Sequence, residues 1–459
     1  MLETMSIEKQ NTNVFDKPEL YNLRLLFGLN IFLLIVLFVM PQYFGIHIGW
    51  DITCTRFANI LLIIYSLLQF RVFNLFANIV IKCSITIPLV IYLLVALYTM
   101  IFRVDVNALL LVFLEILTMY MLIFAIRYVI GIKRAIKIIL GCAYFLSVYG
   151  FVEFAAGQSL FLKFLKTVPS VAGNSYRSGY YRIMGPCGHA LGYGLLLILF
   201  VAIACLDYEK NEIYLFKRPV LLVMLIANTF LTGSRSSQGI VLIELLIILI
   251  ISEKEKRKKA FFYSVVLIVS GVLFTIITYN MKIGQYIMMQ ITMLIDQIFN
   301  TEFSLNYGAE VTRLQNSENY REFLPKIFTL DWLNPIVGRG VKYVFSAGFP
   351  KEDGAMIYIK SIDNYYVNQY IKYAYPGLIA YSSFIIVAAI TMIKEIKKHK
   401  SAIAKIVLLG FVCYFVNLWW VDALQTLKFI YAYLAVFFAT LLYYRDVEKK
   451  TKIVEKDNL

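Results

Sequence analysis

Three histidines in 459 residues leave little from which to build a metal site, and His47, His189 and His399 lie far apart in sequence. Cysteine is also sparse. Cys54, Cys83, Cys142, Cys187, Cys205 and Cys413 are scattered, mostly within apolar stretches, with no Cys-x-x-Cys pair. They read as small apolar core residues rather than a disulfide or metal framework. Charged residues make up only 16% of the chain, and they are lopsided: 44 Lys and Arg against 29 Asp and Glu, a net +15. In a soluble protein that balance would suggest nucleic acid. Here no continuous basic face lies outside the apolar runs, which argues against that partner. Internal repeats and low-complexity segments are also missing. Residues 1–22 are polar and contain no short apolar stretch with a small-residue cleavage site, so the first apolar segment is expected to stay as an anchor.

Apolar residues, by contrast, are abundant. They make up 60% of the chain, and the mean hydropathy is +0.72. A membrane span needs about 20 apolar residues. Twelve segments qualify as candidate spans: 23–40, 55–70, 84–102, 107–126, 136–155, 188–206, 219–233, 237–252, 260–279, 376–393, 403–421 and 427–444. The second is short, and 72–81 suits an interfacial position. Lys133-Arg134, Lys217-Arg218, the run 253–259, the run 394–400 and 445–452 all fall on one side of these spans, the cytoplasmic side by the positive-inside rule. The expected organisation is a cytoplasmic tail 1–22, transmembrane helices in 23–279, a large extracytoplasmic loop 280–375, further spans in 376–444 and a cytoplasmic tail 445–459. The expected fold is therefore all-α: a polytopic membrane bundle of about twelve helices with one large outer loop. The loops 156–187, 234–236 and 422–426 face the same side as that large loop.

Within it, Gly284 to Asn300 reads as an interfacial helix, Thr312 to Phe328 as a second helix, and 334–340 as a turn-rich piece. Arg182, Arg235, Arg313 and Arg339 lie on or beside the outer face. Arginine near hydrocarbon is expensive and is functional, paired or snorkelling. Arg235 occupies a hairpin of about four residues between two apolar runs. The guanidinium fork matches phosphate oxygens and keeps its charge, so several arginines suit a diphosphate. The outer loops hold no Asp-x-Asp pair for magnesium, and Glu352-Asp353 stands alone. Arg321 reads as a solvated helix charge. Asp363 suits a general base toward a sugar hydroxyl, and Asp363-Asn364 equally suits a helix N-cap. Tyr365 and its neighbouring tyrosines suit sugar stacking or an interfacial belt, and Trp419-Trp420 an interface anchor. His189 reads as a ligand-binding candidate or a helix-end donor. Glu115 and Glu244, inside spans, read as interhelical hydrogen-bond partners or as proton relays.

Four pieces recur in order: Arg182 with Gly185-Pro186; Ser234-Arg235; Arg313 with Pro335, Gly338 and Gly340; and Asp363-Asn364-Tyr365 with Gly377-Leu378. Together they resemble the O-antigen polymerase and O-antigen ligase superfamily, which includes capsular polysaccharide repeat-unit polymerases. The resemblance spans roughly residues 170–390. It implies a metal-independent, inverting glycosyltransferase of the all-helical GT-C type, without a cofactor. The implied donor is a glycan on polyprenyl diphosphate at the outer face of a bacterial cytoplasmic membrane. It further implies that Arg182, Arg235 and Arg313 bind the diphosphate. The attacking sugar hydroxyl then needs a positioned base, which Asp363 could supply as the catalytic residue, and Arg339, Asn364, His189 and Tyr365 are the further candidates for substrate contact. A chain-length regulator and a flippase are the implied protein partners. Where the ligase branch has His-Asn, this chain has Asp363-Asn364, which favours a polymerase, and Ala374 stands where glycine is common. A ligase and a lipid-linked oligosaccharide flippase are the alternatives. A flippase is expected to show two repeated halves and short outer loops, and neither is present.

Overall fold

The computed structural model describes residues 20, 23–41, 43–47, 51–164, 176–177, 179–299, 301–309, 323–350, 356–360 and 362–457. Of these residues, 74% are helical. All twelve apolar segments fall in helices: α1 (Arg24–Val39), α2 (Cys54–Leu68), α4 (Thr86–Arg103), α5 (Val106–Phe124), α6 (Ile132–Ala156), α8 (Ala190–Ala204), α9 (Pro219–Leu231), α10 (Arg235–Ile251), α11 (Lys254–Ile277), α13 (Tyr365–His399), α14 (Ala402–Asn417) and α15 (Leu427–Asp457). Between them lie α3 (Phe70–Lys82), the short α7 (Leu160–Phe164) and α12 (Lys282–Phe299). Six helices among the described residues are long and apolar enough to cross a membrane. Others, such as α8, α9 and α14, are apolar but shorter. On α11, Phe261, Phe262, Val265, Ile268, Val269 and Val272 are all exposed. An apolar surface of that extent is tolerable against lipid and not against water.

The core is one cluster running through α1, α5, α6, α8, α14 and α15. A smaller apolar cluster under the large loop joins Phe323, Ile327, Phe345 and Phe349 to Tyr370 and Ile371 of α13. Among the described residues, four antiparallel strand pairs form, the first of β1 (Gly45–His47) with β2 (Asp51–Thr53). In one of them, β3 (Tyr176–Arg177) pairs with β4 (Tyr180–Tyr181), setting Arg177 opposite Tyr180 just ahead of Arg182.

The bundle has two chemically distinct ends. At one, Lys217 pairs with Asp207 and Lys256 with Glu212. There too Arg127 meets Asp446 at 2.8 Å, Ala402 N–H donates to Asn211 Oδ1, and Leu20 N–H donates to the Tyr128 carbonyl. This end gathers the basic loops expected on the cytoplasmic side, together with Leu20 and the C-terminal helix. The opposite ends of α8, α10 and α14 carry the segments 182–189, 232–237 and 417–426.

Of the helix expected over 312–328, residues 312–322 lie outside the described residues, and the described end is a turn at 323–324 followed by the 3-10 helix Pro325–Thr329, begun by a proline. The end of the stretch expected as loop is itself helical. Helix starts at Tyr365 and is interrupted at Ala374 (φ 55°, ψ −165°), just before Pro376. Proline lacks an N–H and clashes with the preceding turn, so the helix breaks there. Segment 335–340 satisfies the orphaned carbonyls at the break: Arg339 N–H donates to Ile371 O at 2.8 Å and Gly340 N–H to Lys372 O at 3.1 Å. Gly338 must be glycine, since a Cβ there would lie 2.0 Å from the Lys372 carbonyl oxygen. Arg103 and Asp105, at the α4–α5 turn, hold the same segment. Arg103 donates to the Gly338 and Val337 carbonyls, and Asp105 accepts from the Val341 and Lys342 N–H groups.

Candidate functional site

The site grows from an ordinary problem, the unsatisfied carbonyls at the end of α9. Phe230 O accepts from the Tyr286 hydroxyl at 3.0 Å, Leu231 O from Ile183 N–H at 3.2 Å, and Thr232 O from Arg182 Nε at 2.7 Å. A cation suits this negative end of the helix dipole. Gly233 then takes φ +59°, and the chain re-enters helix at Ser234 with Arg235 in the first turn of α10. A Cβ at Gly233 would lie 3.1 Å from Arg182 Nε, so glycine here permits both the left-handed turn and the arginine's close approach.

Arg182 is 8% exposed, and its Nη2 has no partner among the described residues. Burial, with Arg177 and Arg235 in electrostatic reach, pushes its pKa down to about 10, while Tyr286 opposes. The guanidinium therefore stays charged at neutral pH. His189 is also in its electrostatic reach. The result is a cluster of three arginines from β3, the β4–α8 connection and α10, beside the positive N-terminus of a helix. A buried cation with an open donor, flanked by two further cations, is arranged to receive a multiply charged anion. Helix α12 closes the corner through Tyr286 and through Gln290, whose Oε1 accepts from Gln238 Nε2 at 3.1 Å.

The other expected residues divide. Asn364 is the N-cap of α13: its Oδ1 accepts from Val367 N–H at 3.1 Å and its Nδ2 donates to Trp419 O at 2.8 Å. Tyr365 N–H donates to Leu418 O, while the Tyr365 ring is buried edge-on to Tyr381. One residue before Leu418, Asn417 Nδ2 donates to Ser237 Oγ at 3.1 Å, and Ser237 Oγ lies 2.9 Å from Ser234 Oγ. This network sets half-buried Asp363 at the same end of the bundle as Arg235. Arg339 sits apart from the arginine cluster, its guanidinium between the Trp332 and Tyr343 rings and bonded to the Trp332 carbonyl. It braces the outer loop. Arg313, Arg321 and the pair Glu352-Asp353 lie outside the described residues. His189 caps α8 as an acceptor, its Nδ1 receiving Leu191 N–H, rather than as a donor. Glu244, expected as a satisfied interhelical partner, has neither carboxylate oxygen bonded among the described residues. All six cysteines are free, and five are buried.

Sequence reasoning missed Arg177, Tyr286 and Glu153. Glu153 is an acid one turn from the end of an apolar helix, and that was the available signal. Its carboxylate is fully buried and accepts from Tyr181 Oη at 2.7 Å, Met184 N–H at 3.0 Å and Gly185 N–H at 2.9 Å. Among the described residues no group of three or more His, Cys, Asp or Glu gathers in ligating geometry. Comparison with family models and with curated proteins gave no match to this chain.

Proposed function

We propose that the chain is a polysaccharide repeat-unit polymerase. On this reading it is a glycosyltransferase that joins polyprenyl-diphosphate-linked oligosaccharides at the outer face of a bacterial cytoplasmic membrane. The chain would form a GT-C-like bundle of about twelve spans with both termini cytoplasmic. The observation that carries the proposal is the buried Arg182 guanidinium, whose Nη2 has no partner among the described residues, with Arg177 and Arg235 in electrostatic reach. In the reaction, an acceptor hydroxyl oxygen attacks the anomeric carbon and the bond from that carbon to the diphosphate breaks. The electron pair leaves on the diphosphate, where the arginines stabilise it; the acceptor proton passes to Asp363. A diphosphate leaves readily once its charge is met, so cations matter more than an acid at this position. Arg313 belongs to the same proposed set.

Reconstitution with the lipid-linked repeat unit tests this. The wild type is expected to give a glycan ladder without nucleotide sugar. Arg182→Lys and Arg235→Ala are expected to lose roughly 10- to 100-fold in rate, the scale of one charge-assisted bond. A folded protein that makes no ladder but transfers preformed glycan to another acceptor would be a ligase. One that only moves the lipid across the bilayer would be a flippase.

A further inference from the structure

A buried carboxylate in an apolar helix is costly to desolvate, and it persists where its hydrogen bonds do something a neutral side chain cannot. Glu153 spends both oxygens on one short segment. Oε1 takes the Tyr181 hydroxyl and Met184 N–H, and Oε2 takes Gly185 N–H. Those donors bracket Arg182 on both sides. From the other direction, Ile183 N–H and Arg182 Nε are tied to the end of α9. The backbone carrying Arg182 is therefore clamped between a carboxylate on α6 and the carbonyls of α9. The pairing of Tyr176 with Tyr181, and the bond from Tyr176 Oη to Gly157 O at 2.7 Å, brace the same segment from the hairpin.

We infer that Glu153 is the positioning residue of the anion site: through Tyr181, Met184 and Gly185 it fixes Arg182 so that Nη2 faces the diphosphate of the lipid-linked substrate. This role rests on the polymerase reading of the site. Glu153 itself touches no substrate, and its two oxygens are taken up by three donors. The Arg182 Nη2, without a partner among the described residues, remains to meet an external anion.

The isosteric change Glu153→Gln isolates the effect. An amide can present an oxygen to Met184 or to Gly185 but not to both, so one backbone N–H is left facing an NH₂ group. The experiment is a double-mutant cycle on the full-length protein in detergent, with farnesyl diphosphate as the probe and the dissociation constant as the readout. Arg182→Ala is expected to weaken binding roughly 10- to 100-fold. Glu153→Gln is expected to weaken it by a comparable factor, and to cost nothing further when added to Arg182→Ala. That non-additivity is what a general loss of stability does not produce. If Arg182→Ala weakens binding but Glu153→Gln does not, or if the two effects add fully, the positioning role is overturned and the anion site stands. If Arg182→Ala binds as the wild type does, the functional reading fails and the inference with it. Should Glu153→Gln not fold, Tyr181→Phe removes one of the three donors and is read by the same outcomes.

Discussion

Two residues show how much of the arginine-bearing end of the bundle depends on single backbone positions. Ala374 holds φ 55° and ψ −165°, a region that suits glycine and costs other residues about 1–3 kcal/mol. Ala374→Gly is expected to raise the melting temperature in detergent; a drop would mean that the alanine methyl packs well enough to outweigh the strain. Gly338 is the converse case. Gly338→Ala drives a methyl into the Lys372 carbonyl and removes the cap from the helix break. A loss of at least about 2 kcal/mol is expected, visible as a lowered melting temperature. Residue identity is legible in both places: a glycine in the turn-rich 334–340, and an alanine where the resemblance expects glycine. Their coupling is not legible, because Gly338 and Lys372 meet only once α13 has broken and the loop has returned to it.

Among the elements, α12 is legible as a helix outside the spans, from the spacing of its apolar residues over 284–300. What holds its far end is not. Asp296 accepts from Thr301 Oγ1 at 2.7 Å and from the Phe303 and Ser304 N–H groups, both at 2.8 Å. Burial alone would raise its pKa; the bonds from Ser304, Thr301 and Phe303 outweigh it and hold the carboxyl below the usual aspartate value of 3.8. A depressed carboxylate contributes stability above its unfolded pKa and loses it as pH falls through the folded value. Protection of 301–309 from hydrogen exchange, taken relative to the intrinsic rate at each pH, is therefore expected to stay constant at neutral pH and to fall as pH drops below about 4. Asp296→Asn is expected to show the reduced protection already at pH 7. Equal protection in the two proteins at pH 7 would assign the anchoring elsewhere. The same reasoning explains why Asp363-Asn364 reads ambiguously. An N-cap and a base use the same residue types, and here the cap falls to Asn364, leaving the half-buried Asp363 one residue outside the helix.

For the whole molecule, the consequence is sidedness. The basic loops, the start of the described chain and the C-terminal helix share one end, and the arginine cluster occupies the other. In a background lacking the half-buried Cys54, Ile336→Cys lies on an exposed loop at the arginine end and Lys449→Cys at the basic end. A membrane-impermeant maleimide is expected to label the first in intact spheroplasts and the second only after permeabilisation. Labelling of Lys449→Cys from outside would invert the orientation and remove the outer-face site with it.

The sequence by itself determined where most of the helices form, that several of them are apolar enough for lipid, which loops are basic, and that Arg235 lies where two apolar helices join. These are local properties: run length, periodicity, and the cost of charge near hydrocarbon. Tertiary structure alone decided that Arg182 binds the end of α9 with Arg177 and Arg235 in electrostatic reach, that Arg339 is diverted to brace a loop, and that Glu153, 32 positions from Gly185, clamps the arginine-bearing segment. It also decided that Arg103 reaches Gly338 across 235 positions. The physical reason is the same in each case. An orphaned carbonyl or a buried charge takes whichever partner the packing of distant helices brings within about 3 Å, and no local pattern encodes that meeting.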